Sequence, residues 1–166
     1  MKKVEVFFDY NCPYCLKGHE QLLELIKDTP ELEVIWNPCE ISVFKNPSAL
    51  THNDISLQGM FFAAENNVDL WSYHQKVYDM VFKDRMNTKD IDIFVNALEG
   101  LLDTKALRED LTSGRYIKSL EDANHFAFKT TGVHVVPTYR SDGGVLQDRQ
   151  EFYGMGTSDT SYGGSK

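Results

Sequence analysis

Val4-Glu5-Val6-Phe7-Phe8-Asp9-Tyr10-Asn11-Cys12-Pro13-Tyr14-Cys15 decides how this chain is read. Val4, Val6, Phe7 and Phe8 form a short, nearly continuous apolar run, and the β-branched and aromatic character continues to Tyr10. Such a run predicts a strand buried on both faces. From Cys12 to Lys27 the period changes. Leu16, His19, Leu22, Leu23 and Ile26 recur at helical spacing, Pro13 suits the first helical position, and Thr29-Pro30 ends the helix. Leu32, Val34 and Trp36 then alternate with Glu33 and Ile35 as a second strand. The opening is a β–α–β unit with a parallel pair, and the two cysteines fall where the first strand hands over to the helix.

Further along, Pro38 to Pro47 has loop character. Residues 53–113 are helical in pattern. Met60, Phe61 and Ala64 make one face, Leu70, Val77, Tyr78, Val81 and Phe82 a second, and Ile91, Phe94, Val95 and Leu98 a third. A short fourth helix runs from Leu101 to Leu111. Thr88 and Thr104 are the expected N-caps. Another helix spans Gly114 to Thr131, with Gly132 placed as its cap. Val133 to Tyr139 is an apolar strand that Pro137 interrupts, so Pro137 marks a strand start or a special turn. Asp142-Gly143-Gly144 is a hairpin turn leading to a last strand from Val145 to Tyr153. The segment from Gly154 onward, rich in Gly and Ser, is expected to be mobile. The order predicts an α/β fold: a mixed sheet flanked by helices, with a helical block inserted between its halves.

The chain has 166 residues, 42% of them hydrophobic, enough for a sizeable core. Asp plus Glu total 25 against 17 Lys plus Arg, a formal charge of −8, which argues against a nucleic-acid or anionic-membrane partner. No apolar run has the length of a membrane span, and no signal-like segment precedes the first strand. Three cysteines do not make a disulfide scaffold.

Chemistry concentrates at Cys12-Pro13-Tyr14-Cys15. At a helix N-terminus, unpaired N–H groups and the positive end of the dipole favour a thiolate at Cys12, and such thiols fall from about 8.5 to roughly 3.5–7.5. Cys15, one turn further in, is expected to be more buried and to resolve a mixed disulfide. Pro13 restrains the loop and Tyr14 shields one side of it. Zinc needs four ligands, and His19, on the same helix face, makes only a third. None of His19, His52, His74, His125 and His134 has metal spacing with another, so no metal is expected; His134 is read as a surface or loop histidine. Cys39 is read as a small hydrophobe.

Asp9-Tyr10-Asn11-Cys12-Pro13-Tyr14-Cys15-Leu16-Lys17-Gly18 resembles the active-site stretch of DsbA-like thioredoxin-fold oxidoreductases, especially the FrnE-type branch. Gly132-Val133-His134-Val135-Val136-Pro137-Thr138-Tyr139 resembles that family's segment carrying a cis-proline, and Val34-Ile35-Trp36-Asn37-Pro38 is a weaker third match. The resemblance implies a thioredoxin fold in two parts, 1–52 and 114–154, around a helical insertion at 53–113, with 155–166 a flexible tail. It implies a cis Pro137 lying against the dithiol, with Val136, Pro137 and Thr138 binding substrate and the Val136 backbone pairing with an extended peptide.

The implied activity is thiol–disulfide exchange or isomerisation on protein or small-molecule disulfides. The glutaredoxin-like motif leaves glutathione open as reductant, and no other cofactor is expected. One alternative is a glutathione-binding enzyme of the kappa-class transferase and hydroxychromene-carboxylate isomerase type, whose members typically carry Ser in place of Cys12 and lack the second cysteine. Another is a non-catalytic peptide-binding chaperone or metal-binding module.

The chain departs from the family pattern in three places. Val6 stands where the periplasmic oxidant branch has a buried acid; Asp9, or with less support Glu40, is a substitute, although strand-end acids are ordinarily solvated. Cys39 occupies a position usually apolar or aromatic. The family's final helix beside the active-site helix is expected to be missing, leaving a sheet face for a second copy to cover as a homodimer. Without a signal, the dithiol is expected in the reducing cytoplasm.

Overall fold

The computed structural model describes residues 1–45 and 54–154. Strand β1 (Lys3–Phe8) leads into helix α1 (Pro13–Asp28) and strand β2 (Glu33–Pro38), followed by a short α2 (Ile41–Lys45). Helices α3 (Ile55–Glu65), α4 (Leu70–Tyr78), α5 (Ile91–Ala97) and α6 (Thr104–Ser113) form the central helical block. Then come α7 (Ile117–His125), β3 (Thr138–Ser141), β4 (Leu146–Asp148) and α8 (Arg149–Tyr153). Wider π-helical turns extend α4 over Asp79–Lys83 and α7 over Phe126–Thr130.

The sheet runs β2-β1-β3-β4, with β1 parallel to β2 and antiparallel to β3, and β3–β4 a hairpin. Glu5 lies opposite Arg140, and the two pair, Arg140 Nη2 donating to Glu5 Oε2 at 3.0 Å. Alternation along β1 divides the core. Val4, Val6 and Phe8 join α1 and the helical block in one large cluster, while Phe7 packs with Cys39, Ala127 and Val133 in a smaller one. Cys39 is fully buried there and fills apolar space.

Several expectations need correction. The first strand ends at Phe8, not Tyr10, and residues 41–45 of the expected loop are helical. The helical block starts each helix on aspartate: the side chains of Asp54, Asp69, Asp90 and Asp103 accept from the backbone N–H groups of Leu57, Ser72, Ile93 and Ala106. Thr88 therefore lies before the cap, and Thr104 is the first helical residue rather than the cap. Helix α3 buries Met60, Phe62 and Ala63 and leaves Ala64 exposed. The expected helix from Gly114 begins only at Ile117; Gly114 ends α6. Gly132 takes φ +81°, a left-handed turn that only glycine adopts without strain, immediately after the α7 extension.

The largest correction is at the C-terminus. The expected last strand to Tyr153 stops at Asp148, and α8 follows, closed by a capping box between Asp148 and Glu151. Phe152 stacks on Tyr139 with ring centroids 4.4 Å apart, and the Tyr153 hydroxyl donates to the Gly18 carbonyl at 3.4 Å. A short final helix thus lies beside α1, where none was expected. The expected mobile tail over 155–166, and His52, lie outside the described residues.

Candidate active site

Cys12 is the N-cap of α1, extended at φ −102° and ψ 120°, with Pro13 at the first helical position and no side-chain cap of its own. Its carbonyl accepts from Cys15 N at 3.0 Å and Leu16 N at 3.3 Å, so the first turn closes on it. The Sγ lies beside the Tyr14 and Cys15 N–H groups of the helix end. The Cys12 thiol is pulled from its ordinary 9.0 to about 6. The hydrogen bond with the Cys15 side chain is the largest cause; the Cys15 and Tyr14 N–H groups and the charge of Arg149 add to it, and partial burial opposes them. Cys15 is 2% exposed, and burial, with the thiol's donation to Cys12, raises it well above its ordinary value. Both thiols are free. The two sulfurs are thus strongly unequal: an accessible acidic thiol and a buried, protonated one.

The second expected segment meets the first. The Val136–Pro137 peptide bond is cis, and Cys12 Sγ lies 3.7 Å from the Val136 carbonyl oxygen. Pro137 and Thr138 are buried, Val136 is half-buried, and the Thr138 hydroxyl donates to the Val135 carbonyl at 2.7 Å. Gly18 is what lets α1 approach this loop: a Cβ there would stand 3.2 Å from Pro137 Cγ and inside contact distance of the Tyr139 hydroxyl. Tyr14 is 56% exposed at the rim.

Asp9 is not solvated. It is 1% exposed, its Oδ1 accepts from Asn11 N and Nδ2, and its Oδ2 accepts from Ile41 N at 3.1 Å. Burial, with the nearby Asp54 carboxylate, raises its pKa to about 7. Its own N–H donates to Cys15 Sγ at 3.5 Å. Glu40, also buried, accepts from Asn124 Nδ2 and Asp54 N and so braces the same loop. His134 is exposed.

Two features escaped the sequence. Arg149, read as part of a strand, starts α8 and is 5% exposed. Its Nη1 donates to Gln21 Oε1 at 3.0 Å, and its guanidinium lies 5.8 Å from the Tyr14 ring centroid. The capping box around it was the available signal. Because its charge favours the Cys12 thiolate, Arg149→Gln is expected to move the pH midpoint of Cys12 alkylation upward. An unchanged midpoint would remove Arg149 from the site. His19 and His74 also come together, ring centroids 6.0 Å apart, between Trp36, Trp71 and Tyr78. Among the described residues, no group of three or more His, Cys, Asp or Glu is arranged to hold a metal ion.

A βαβ unit, a helical insertion and an antiparallel hairpin, with a dithiol on the first helix against a cis-proline loop, define a thioredoxin-fold protein of the inserted type. Residues 3–157 match the model of the DSBA-like thioredoxin domain, and the chain belongs to that family. It is 25% identical over 171 residues to the Bacillus subtilis protein YwbO, covering 82% of this chain and 84% of that one. The fold resembles a probable DsbA oxidoreductase from Streptomyces coelicolor (TM-score 0.73, 16% identity, 97% of this chain and 89% of that one). It also resembles a 2-hydroxychromene-2-carboxylate isomerase (TM-score 0.67, 14% identity, 96% and 97%).

Proposed function

We propose that the protein is a thiol–disulfide oxidoreductase or isomerase in which Cys12 is the nucleophile and Cys15 the resolving thiol. The observation that carries this reading is the inequality of the pair. A thiol lowered to about 6 is ionised at neutral pH and open to attack, while its partner is held protonated beneath it. The Cys12 thiolate attacks a substrate disulfide, forming a mixed disulfide and releasing one substrate thiolate. Cys15, losing its proton, then attacks Cys12, and the second substrate sulfur leaves with its electron pair. Two electrons have passed from the dithiol to the substrate. An extended peptide would pair with the Val136 backbone beside Pro137 and Thr138, with Pro13 and Tyr14 bordering it. Glutathione suits the return of the dithiol to its reduced form, and the cytoplasm is the compartment that suits such a cycle.

The likeness to an isomerase leaves a second reading, a glutathione-dependent reaction with no dithiol cycle. Cys15→Ser separates the two. With insulin as substrate, that variant is expected to lose turnover in excess dithiol and, pre-reduced and freed of dithiol, to accumulate a mixed disulfide on Cys12, seen as a mass adduct. Turnover at the wild-type rate, with no adduct, would overturn the oxidoreductase reading.

A further inference from the structure

The resolving step needs the buried Cys15 to lose a proton without reaching bulk solvent. Asp9, His19, Tyr78 and Tyr139 are titratable side chains near it, and burial holds the two tyrosines protonated. Asp9 has both carboxylate oxygens engaged with Asn11 and Ile41. His19, one turn along α1 on the same face, is differently placed. It is 4% exposed, and its Nδ1 has no hydrogen-bond partner among the described residues.

Its tautomer follows from the hydrogen-bond chain behind it. Gln75 Nε2 donates to Asp79 Oδ1 at 3.1 Å, which turns the Gln75 Oε1 toward His19 Nε2, also 3.1 Å away. An amide oxygen only accepts, so His19 Nε2 carries the hydrogen and Nδ1 carries the lone pair. Cys15 and His19 together line a small cavity of about 10 Å³, with Tyr78 and Tyr139 as polar side chains among its mostly apolar walls. That is roughly the space one water molecule requires, and such sites are occupied when polar groups face them.

We propose that His19 takes the Cys15 proton through a water molecule held in this cavity, making the attacking thiolate inside the protein. The inference rests on the oxidoreductase reading above. In the step, the Cys15 S–H bond breaks and the proton passes through the water to Nδ1. The thiolate forms the S–S bond to Cys12, and the bond from Cys12 to the substrate sulfur breaks with its electron pair on the leaving thiolate. Burial disfavours the imidazolium, while the Gln75 hydrogen bond and the charges of Glu20 on α1 and Asp79 after α4 favour it; His74, Tyr78 and Trp71 are the rings against it. Burial holds His19 below its ordinary value, so the neutral base is present at neutral pH and the proton is shed to solvent after the step.

A dithiobis-nitrobenzoate probe reads the two steps separately on the reduced full-length protein. Cys12 releases a first coloured thiolate as it forms the mixed disulfide, and Cys15 releases a second on resolving it; Cys39, fully buried, stays silent. In His19→Gln the first release is expected at the wild-type rate and the second about 100-fold slower at neutral pH, recovering as pH rises toward that of the Cys15 thiol itself. Gln75→Leu, which frees the tautomer, is expected to slow only the second release. A second release at the wild-type rate in folded His19→Gln would overturn the proposal. So would nitrogen NMR of the wild type showing the hydrogen on Nδ1, whether or not the variant folds. Failure of the parent reading looks different: the wild type would give no second release, or Cys15→Ser would still give one.

Discussion

Cys12→Ser is expected to lose all measurable disulfide reduction, and alkylation of wild-type Cys12 by iodoacetamide is expected to titrate with a midpoint near pH 6 rather than near 9.0. The cause is local. A protein of net charge −8 repels a thiolate on average, so the lowering must come from groups within reach of the sulfur. The Cys15 S–H donates to it, the N–H groups of Tyr14 and Cys15 at the helix end lie beside it, and the Arg149 charge lies nearby. The sign is that of an acid whose charged form is stabilised. Above the midpoint the rate is level, and below it the rate falls about tenfold per pH unit as the thiolate is lost. The same contacts stabilise the reduced form relative to the disulfide, which makes the disulfide the more oxidising partner. Serine keeps the hydrogen-bonding shape but not the acidity or the ability to form a disulfide. An alkylation midpoint close to that of a free thiol would refute the electrostatic account. Activity surviving in Cys12→Ser would refute the mechanism.

The second large effect is expected from a single methyl group. Gly18→Ala should gain about 1 kcal/mol of helix propensity, yet we expect the urea unfolding midpoint to fall by an amount worth up to about 2 kcal/mol net. The new Cβ would enter the space of the Tyr139 hydroxyl and press on Pro137 Cγ. Tyr139 cannot step aside, since it is fully buried, stacked on Phe152 and flanked by Tyr153. The strain is relieved by lifting α1 from the loop, which parts Cys12 from Val136, so stability and turnover should drop together. A wild-type midpoint with full turnover would show that α1 and the Pro137 loop do not need this close approach.

Legibility in the sequence followed the range of the interactions. The β–α–β opening, the helical character of the central block, the turn at Gly132 and the positions of Cys12 and Pro137 all have local signals: a period, a helix-starting proline, a glycine at positive φ. Helix α8 had a local signal too, Asp148 with Glu151, but five residues contain too little periodicity to outweigh an alternation that continued from the strand. The aspartate caps were missed by one or two positions because Thr and Asp compete for the same role at neighbouring sites. The sequence offers Asp9 as a substitute acid without showing that it is buried, and Arg149 only as part of a strand. A charge is buried or exposed according to what the rest of the chain lays over it, here Ile41 and Asn11 in one case and α8 against α1 in the other.

By itself, then, the sequence determined that a strand delivers a dithiol to the N-terminus of a helix, and that a proline segment far along the chain starts another strand of the same sheet. These follow from backbone propensity and the apolar pattern, which act between near neighbours. Only the tertiary structure decided which groups set the chemistry of the sulfurs. Val136 and Arg149 reach Cys12 through β3 and α8, Ile41 helps to seal Asp9 beside Cys15, and α4 brings Gln75 and His74 to His19. Those side chains are distant in sequence, and acidity depends on burial and on contacts over a few ångströms, which exist only once the sheet and the helical block have closed around the site.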